Sequence, residues 1–337
     1  MSKSEKKRVV HRKTLCRPKT KQNNKKNTQK GGKKPAKPKF LYTLNKRPIS
    51  KAVHNEIAKL GYIPYSWDDV EIHLNDDRII ATGMLLGVKR YLYKKEFRQK
   101  QNDKKCDRMV EFGKELGRIK KNILKELDIE KPSRTKVIAT GLWLLLKSSI
   151  RVGNKKYLKE NGTYGLTTLN KKHVKISDKH IELDFVGKKS VQNYVKVKIP
   201  NTKMAKWFKY LLKNADPYFI AFEGKRISSL EINDYIKDFY GEEFTAKDFR
   251  TWGANIIFLE EISKIDLKKD NLTPKEINKT IKNIIEHTAE MLNNTPSVLK
   301  SNYLCQHILE KLKTNPEKII KQIRNTKDID QLLIELL

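Results

Sequence analysis

Four short segments of this 337-residue chain set polar side chains beside apolar structure: Arg151-Val-Gly-Asn-Lys-Lys-Tyr157, the Gly187-Lys188-Lys189 turn, Lys247-Asp-Phe-Arg250 and Asn294-Thr-Pro-Ser-Val-Leu-Lys-Ser-Asn-Tyr303. Arg151 follows an apolar helical stretch, 135–150, with Gly153 close behind. Its guanidinium either complements the negative end of that helix or leaves it as a fixed cation in a loop. Lys188 sits in a tight turn between two strands. There it is a solvated charge, or an ammonium projected into a groove as a mobile general acid requires. Arg250 lies in the first turns of a helix running into Trp252-Gly-Ala-Asn-Ile-Ile-Phe258. A buried arginine needs an anion, which Asp248, Glu243 or a phosphate from outside the chain could supply. Tyr303 comes seven residues after Pro296, about 10 Å along a helix and on the same face. Alone it reads as half-buried packing.

The elements that must position these residues are legible in outline. Residues 135–150 form an apolar helix that Pro132-Ser133 caps, preceded by a long helical pattern ending near Leu127. Val174-Lys-Ile176, His180-Ile-Glu-Leu-Asp-Phe-Val186 and Val191-Gln-Asn-Tyr-Val-Lys-Val197 read as one small sheet, the last two strands joined through Gly187-Lys-Lys189. Every later segment reads as helix, with N-caps at Thr245, Thr273 before Pro274, and Thr295 before Pro296. Upstream, Val70-Glu-Ile-His-Leu74 and Ile79-Ile-Ala-Thr-Gly-Met84 flank the Asn75-Asp-Asp77 turn. The fold class predicted is α+β: a small β-rich N-terminal domain over 40–97, then a larger, mainly helical domain with a small antiparallel sheet over 98–337.

Residues 1–39 carry sixteen Lys or Arg against Glu5 alone and predict a disordered basic tail, solubilising or a loose electrostatic tether. The whole chain has a formal net charge of +34, of which +19 remains on residues 40–337, so the folded part is itself strongly basic. Such a surplus repels itself unless a polyanion neutralises it, which makes nucleic acid the expected partner. No run of 18 apolar residues and no hydrophobic leader is found, so a membrane partner is not expected. Cys16, Cys106 and Cys305 are far apart, without CxxC spacing, which predicts a reduced intracellular compartment and no structural zinc.

Taken together and in this order, the four segments resemble the type IB DNA topoisomerases of poxviruses, giant viruses and bacteria. The resemblance runs from about Pro48 to just past Tyr303, and includes Gly87-Val-Lys-Arg-Tyr91, Gly165-Leu-Thr-Thr-Leu169, Phe185-Val-Gly-Lys188 and Phe249-Arg-Thr-Trp-Gly-Ala-Asn255. It implies a tyrosine nucleophile, Tyr303, that forms a 3′-phosphotyrosyl link and frees a 5′-hydroxyl, with neither ATP, metal nor other cofactor. Arg151 and Arg250 fit the need for charge neutralisation on the non-bridging oxygens, and Lys188 the need for a proton donor, since guanidinium does not give up its proton. No GxxxxGK[ST] loop is present, in keeping with ATP independence. Where poxviral and nuclear members carry histidine nine residues before the tyrosine, this chain has Asn294, as bacterial-type members do; Asn294 is the fifth catalytic candidate. His287, sixteen residues before Tyr303, is taken as packing.

The resemblance also assigns DNA contacts: Lys89, Arg90, Tyr91 and Tyr93 in the N-terminal domain, Gly153, Lys156 and Tyr157 after the first arginine, and Lys247. It implies a monomer clamping double-stranded DNA, inside a host cell, viral factory or virion if the chain is viral. Two rivals remain. A tyrosine recombinase shares the chemistry, although Lys247 stands where recombinases usually carry histidine. A non-enzymatic basic nucleic-acid-binding protein would explain the charge, but not the co-occurrence of Arg151, Lys188, Arg250 and Tyr303.

Overall fold

The computed structural model describes residues 8–16, 39–265 and 273–337. The chain divides into two compact units, Met1–Gln101 and Asn102–Leu337. The first holds a six-stranded antiparallel sheet built from β1 (Val9–Cys16), β2 (Lys39–Leu44), β3 (Arg47–Pro48), β4 (Asp68–His73), β5 (Ile79–Leu85) and β6 (Val88–Tyr93), in the order β3-β2-β1-β4-β5-β6. Helix α1 (Lys51–Lys59) starts where the Ser50 side chain accepts from the Val53 amide and turns Ile57 inward. Val10, Ile57, Ile63, Trp67, Val70, Ile72 and Ala81 form the core of this unit.

β1 corrects one expectation. It lies within the stretch taken as a disordered tail, yet it is a central strand, pairing with β2 on one side and β4 on the other. Val10 and Arg12 are buried while His11 and Lys13 face out, the two-residue alternation of a half-buried strand. Arg12 is accommodated inside because its guanidinium donates to the carbonyls of Ile63, Pro64 and Trp67 and lies 4.4 Å from the Phe40 ring centre. The rest of the predicted tail, 1–7 and 17–38, lies outside the described residues.

The second unit is mainly helical. Helix α2 (Lys95–Asp128) buries Cys106, Met109, Phe112, Gly113, Leu116, Ile119, Ile123 and Leu127, one stripe at helical spacing. Helix α3 (Arg134–Ser148) begins where Ser133 accepts from the Lys136 amide and is buried almost all round. A short helix α4 (Lys155–Asn161) follows, then a three-stranded antiparallel sheet of β7 (Val174–Ile176), β8 (His180–Gly187) and β9 (Val191–Lys198). The β8–β9 register runs from His180↔Lys198 to Gly187↔Val191 and closes through Lys188–Ser190.

Beyond the sheet come α5 (Thr202–Lys213), a small hairpin of β10 (Ala221–Phe222) and β11 (Lys225–Arg226), α6 (Ser229–Tyr240), α7 (Ala246–Ser263), α8 (Pro274–Met291), α9 (Pro296–Asn302), α10 (Gln306–Thr314), α11 (Pro316–Asn325) and α12 (Ile329–Leu336). The β10–β11 hairpin corrects the expectation of helix throughout; its strands are two residues each, too short to leave an alternation pattern. Thr245, Thr273 and Thr295 are the N-caps of α7, α8 and α9. Helix α7 is the hub, packing against α3, α6, α8, α11 and α12. Among the described residues no helix is long and apolar enough to cross a membrane.

Candidate active site

Three elements of the second unit converge: the segment after α3, the first turns of α7, and the corner from α8 into α9. The first is fixed by close backbone approach. Ser149 ends α3 in a left-handed conformation, φ 52°, and the chain from Arg151 to Gly153 lies against Gly165–Thr167. Leu166 N–H donates to the Arg151 carbonyl at 2.9 Å, and Thr167 N–H to that of Val152 at 2.8 Å. Gly153 has φ +77°, and a Cβ there would sit 2.8 Å from Gly165 Cα, so both the conformation and the space demand glycine.

Arg250, in the first turns of α7, is 4% exposed. Neither internal anion considered for it is its partner. Asp248 pairs instead with Arg108 at 3.0 Å and accepts from the Thr245 amide and hydroxyl; burial pushes its carboxyl above the usual carboxylate range despite Arg108. Arg250 donates to the backbone carbonyls of Ser149 and Leu292, which tie the end of α3 to the end of α8, and its Nε has no partner. Its Cζ lies 5.2 Å from the Tyr303 ring centre. Burial, then the like charge of Arg151, lowers its pKa to about 10, so it stays cationic at neutral pH.

Tyr303 closes α9 as its C-terminal cap residue and is 9% exposed. Burial pushes its phenol up, but Arg250, Arg151, a hydrogen bond with Arg250 and the more distant Lys247 outweigh that, leaving it below its ordinary value of 10.0. Asn294 joins the cluster from the corner before α9: its Oδ1 accepts from Arg151 Nη2 at 2.6 Å, while its Nδ2 is buried with no partner. Two guanidiniums, an amide donor and a phenol therefore meet, and among the described residues neither arginine is paired with a carboxylate.

Lys188 is exposed on its turn, and no described hydrogen bond or ion pair joins it to the other four. Lys247 is exposed at the start of α7. Lys156 and Tyr157 are exposed on α4, Lys156 within 3.9 Å of Glu160. In the first unit, Lys89, Tyr91 and Tyr93 line one face of the edge strand β6. Lys89 Nζ lies 5.8 Å from the Tyr91 ring, Tyr91 stacks on Tyr93 at 6.0 Å and Tyr93 on Phe97 at 5.5 Å, with Arg90 on the other face.

Three supports were missed in the sequence. Asn255, on α7, donates to the Tyr303 carbonyl at 3.1 Å and accepts from the Cys305 amide at 3.1 Å, clasping the backbone around the tyrosine. Its signal was an asparagine in the apolar run Trp252–Phe258. Lys105, on α2, donates to the carbonyls of Leu304 at 2.7 Å and Ser301 at 3.3 Å. Asn193, on β9, accepts from Asn293 Nδ2 at 3.0 Å, and nothing local marks that pairing. His287, taken as packing, has a side chain 56% exposed, 3.4 Å from Glu261. Cys106 and Cys305, far apart in sequence, are buried neighbours sharing a hydrogen bond.

Residues 94–330 match the family described as eukaryotic DNA topoisomerase I, catalytic core. The chain is 31% identical over 306 residues to the DNA topoisomerase 1B of Acanthamoeba polyphaga mimivirus, covering 87% of this chain and 90% of that protein. It is 34% identical over 233 residues to the DNA topoisomerase 1B of vaccinia virus (strain Copenhagen), covering 67% and 70%, and 29% identical over 278 residues to the DNA topoisomerase 1 of rabbit fibroma virus, covering 80% and 85%. An α+β chain with these relatives is an isomerase that acts on DNA. It belongs to the type IB DNA topoisomerases.

Proposed function

We propose that this chain relaxes supercoiled duplex DNA by cutting and resealing one strand through Tyr303. The phenol oxygen attacks a backbone phosphorus; its bond to phosphorus forms as the bond from phosphorus to the 5′-oxygen breaks. The phenol proton passes to solvent water, and Lys188 gives a proton to the departing 5′-oxygen. The cut strand rotates about its partner, and the 5′-hydroxyl then attacks the phosphorus: its bond to phosphorus forms as the bond from phosphorus to the Tyr303 oxygen breaks, its proton returns to Lys188, and the released phenol oxygen regains a proton from water. The link conserves the energy of the broken phosphodiester, so resealing requires no ATP. Arg151 and Arg250 carry the negative charge that grows on the non-bridging oxygens, and Asn294 offers its unpartnered Nδ2–H to one of them.

The observation that carries this is a pair of guanidiniums, without carboxylate partners among the described residues, grouped with a buried phenol: Arg250 against the Tyr303 ring and Arg151 on Asn294. Cations left uncompensated at a buried site call for an anion from outside, and a DNA phosphate supplies one. In this scheme one chain acts as a monomer, with Gly153, Lys156, Tyr157 and Lys247 near the scissile phosphate and Lys89, Arg90, Tyr91 and Tyr93 on another stretch of the duplex. The test is plasmid relaxation in EDTA without ATP. Wild-type protein should relax positive and negative supercoils and leave a covalent protein–DNA adduct when denatured mid-reaction. Tyr303→Phe should bind DNA yet give neither; relaxation at the wild-type rate by that variant overturns the nucleophile assignment.

A further inference from the structure

We propose that Asn193 and Asn293 form a positioning bridge that sets the Lys188 turn against the Asn294–Tyr303 segment, so that proton donor and nucleophile meet the same phosphate. This rests on the general-acid assignment of Lys188. Asn193 is 6% exposed near the start of β9. Its Nδ2 donates to the carbonyl of Val191 at 2.8 Å, the first residue after the Lys188–Ser190 turn. Its Oδ1 accepts from Asn293 Nδ2 at 3.0 Å. The turn closes directly over this amide: Val191 pairs with Gly187, and a Cβ on Gly187 would collide with Asn193 Nδ2. Gly187 and the amide therefore fix each other, and Lys188 is the next residue.

At its other end the bridge holds the corner between α8 and α9. Asn293 is left-handed, φ 51°, and its amide donates to Glu290 at 2.9 Å while that of Asn294 donates to Ala289 at 2.8 Å. Leu292 on one side gives its carbonyl to Arg250, and Asn294 on the other binds Arg151. The bridge thus runs from the base of an exposed lysine turn to a residue flanked by the contacts of both arginines. An exposed lysine on a two-strand turn has no other described tie to those residues, and a general acid must lie within hydrogen-bond reach of its leaving group.

Single-turnover cleavage tests this, using the full chain on duplex DNA at a site first mapped with the wild-type protein. Two substrates are compared: the ordinary phosphodiester, and one whose 5′-bridging oxygen is sulfur, which departs without a proton. Asn193→Ala removes one half of the bridge. Asn293→Gly removes the other and keeps the left-handed backbone, which glycine adopts without strain. Each should slow cleavage of the phosphodiester by roughly 10- to 100-fold, as a small misplacement does, and the double variant no further than the slower single. On the sulfur substrate both should cleave at the wild-type rate. Equal slowing on both substrates, or no slowing, overturns the bridge. Lys188→Ala is the control: if sulfur fails to restore its rate, the general-acid assignment itself falls. Recovery of Lys188→Ala without recovery of the asparagine variants sinks the bridge alone.

Discussion

A tyrosine held beside two guanidiniums is a stronger acid than a free one, and the sign of that shift can be measured. Burial of Tyr303 raises its pKa, but Arg250, Arg151 and Lys247 lower it further, so the net displacement is downward from 10.0. Because the depressed group is an acid, the stability it contributes appears only as pH rises through the folded value and is complete above the unfolded one. Single-turnover cleavage should therefore climb with pH and level off below pH 10.0, the ordinary phenol value. Arg151→Ala should lower the plateau and move the break upward. A break that stays in place would show that phenol ionisation does not limit cleavage. Arg151, Arg250 and Tyr303 read singly as a helix-end charge, an internal ion pair and packing; what marked them in the sequence was their occurrence together, in the order of the type IB family. Which anion Arg250 takes was not legible: that depends on Asp248 being taken by Arg108, 140 positions away in the chain.

At the scale of elements, α7 carries the site. Arg250 faces the end of α3 and α8, and one turn further on Asn255 holds the backbone on both sides of Leu304. Asn255→Ala leaves the Cys305 amide and the Tyr303 carbonyl buried with a partner lost, which should cost about 1–3 kcal/mol of stability. Cleavage should fall more than DNA affinity does, because Tyr303 loses its backbone clasp while the basic surface is untouched. A lowered Tm with unaltered cleavage would make Asn255 a purely structural residue. The caps of α7, α8 and α9 could be read directly, since Thr273 and Thr295 accept from amides of their own first turn and Thr245 gives its amide and hydroxyl to Asp248 three residues on. The Asn193–Asn293 pair could not, because it joins residues a hundred positions apart, and only the packed sheet and corner bring them together. Strand β1 escaped for a different reason. Its eight residues were averaged into thirty-nine dominated by lysine, and the alternation of Val10 and Arg12 with His11 and Lys13 is visible only when read alone.

At the scale of the whole molecule, charge governs how the protein meets DNA. Residues 17–38 hold nine Lys or Arg and no acidic residue, immediately between β1 and β2 of one sheet. Deleting 1–39 as if it were a single tail would remove the strand that joins β2 to β4, together with Val10 from the core. Changing the nine basic residues to glutamine leaves that strand in place, so the two interventions separate fold from electrostatics. Each phosphate that a cation neutralises releases counterions, giving a slope of roughly −0.9 in log affinity against log salt. The glutamine variant should thus bind with a shallower salt slope, and at low salt relax plasmid as fast as wild type, because none of the nine lies in the Arg151–Arg250–Tyr303 cluster. The β1 deletion should instead expose the first unit to limited proteolysis and weaken DNA binding at every salt concentration. An unchanged slope in the glutamine variant would mean that 17–38 neutralises no phosphate, and that the net +25 left on the rest of the chain, +34 less the nine, accounts for the electrostatics of binding.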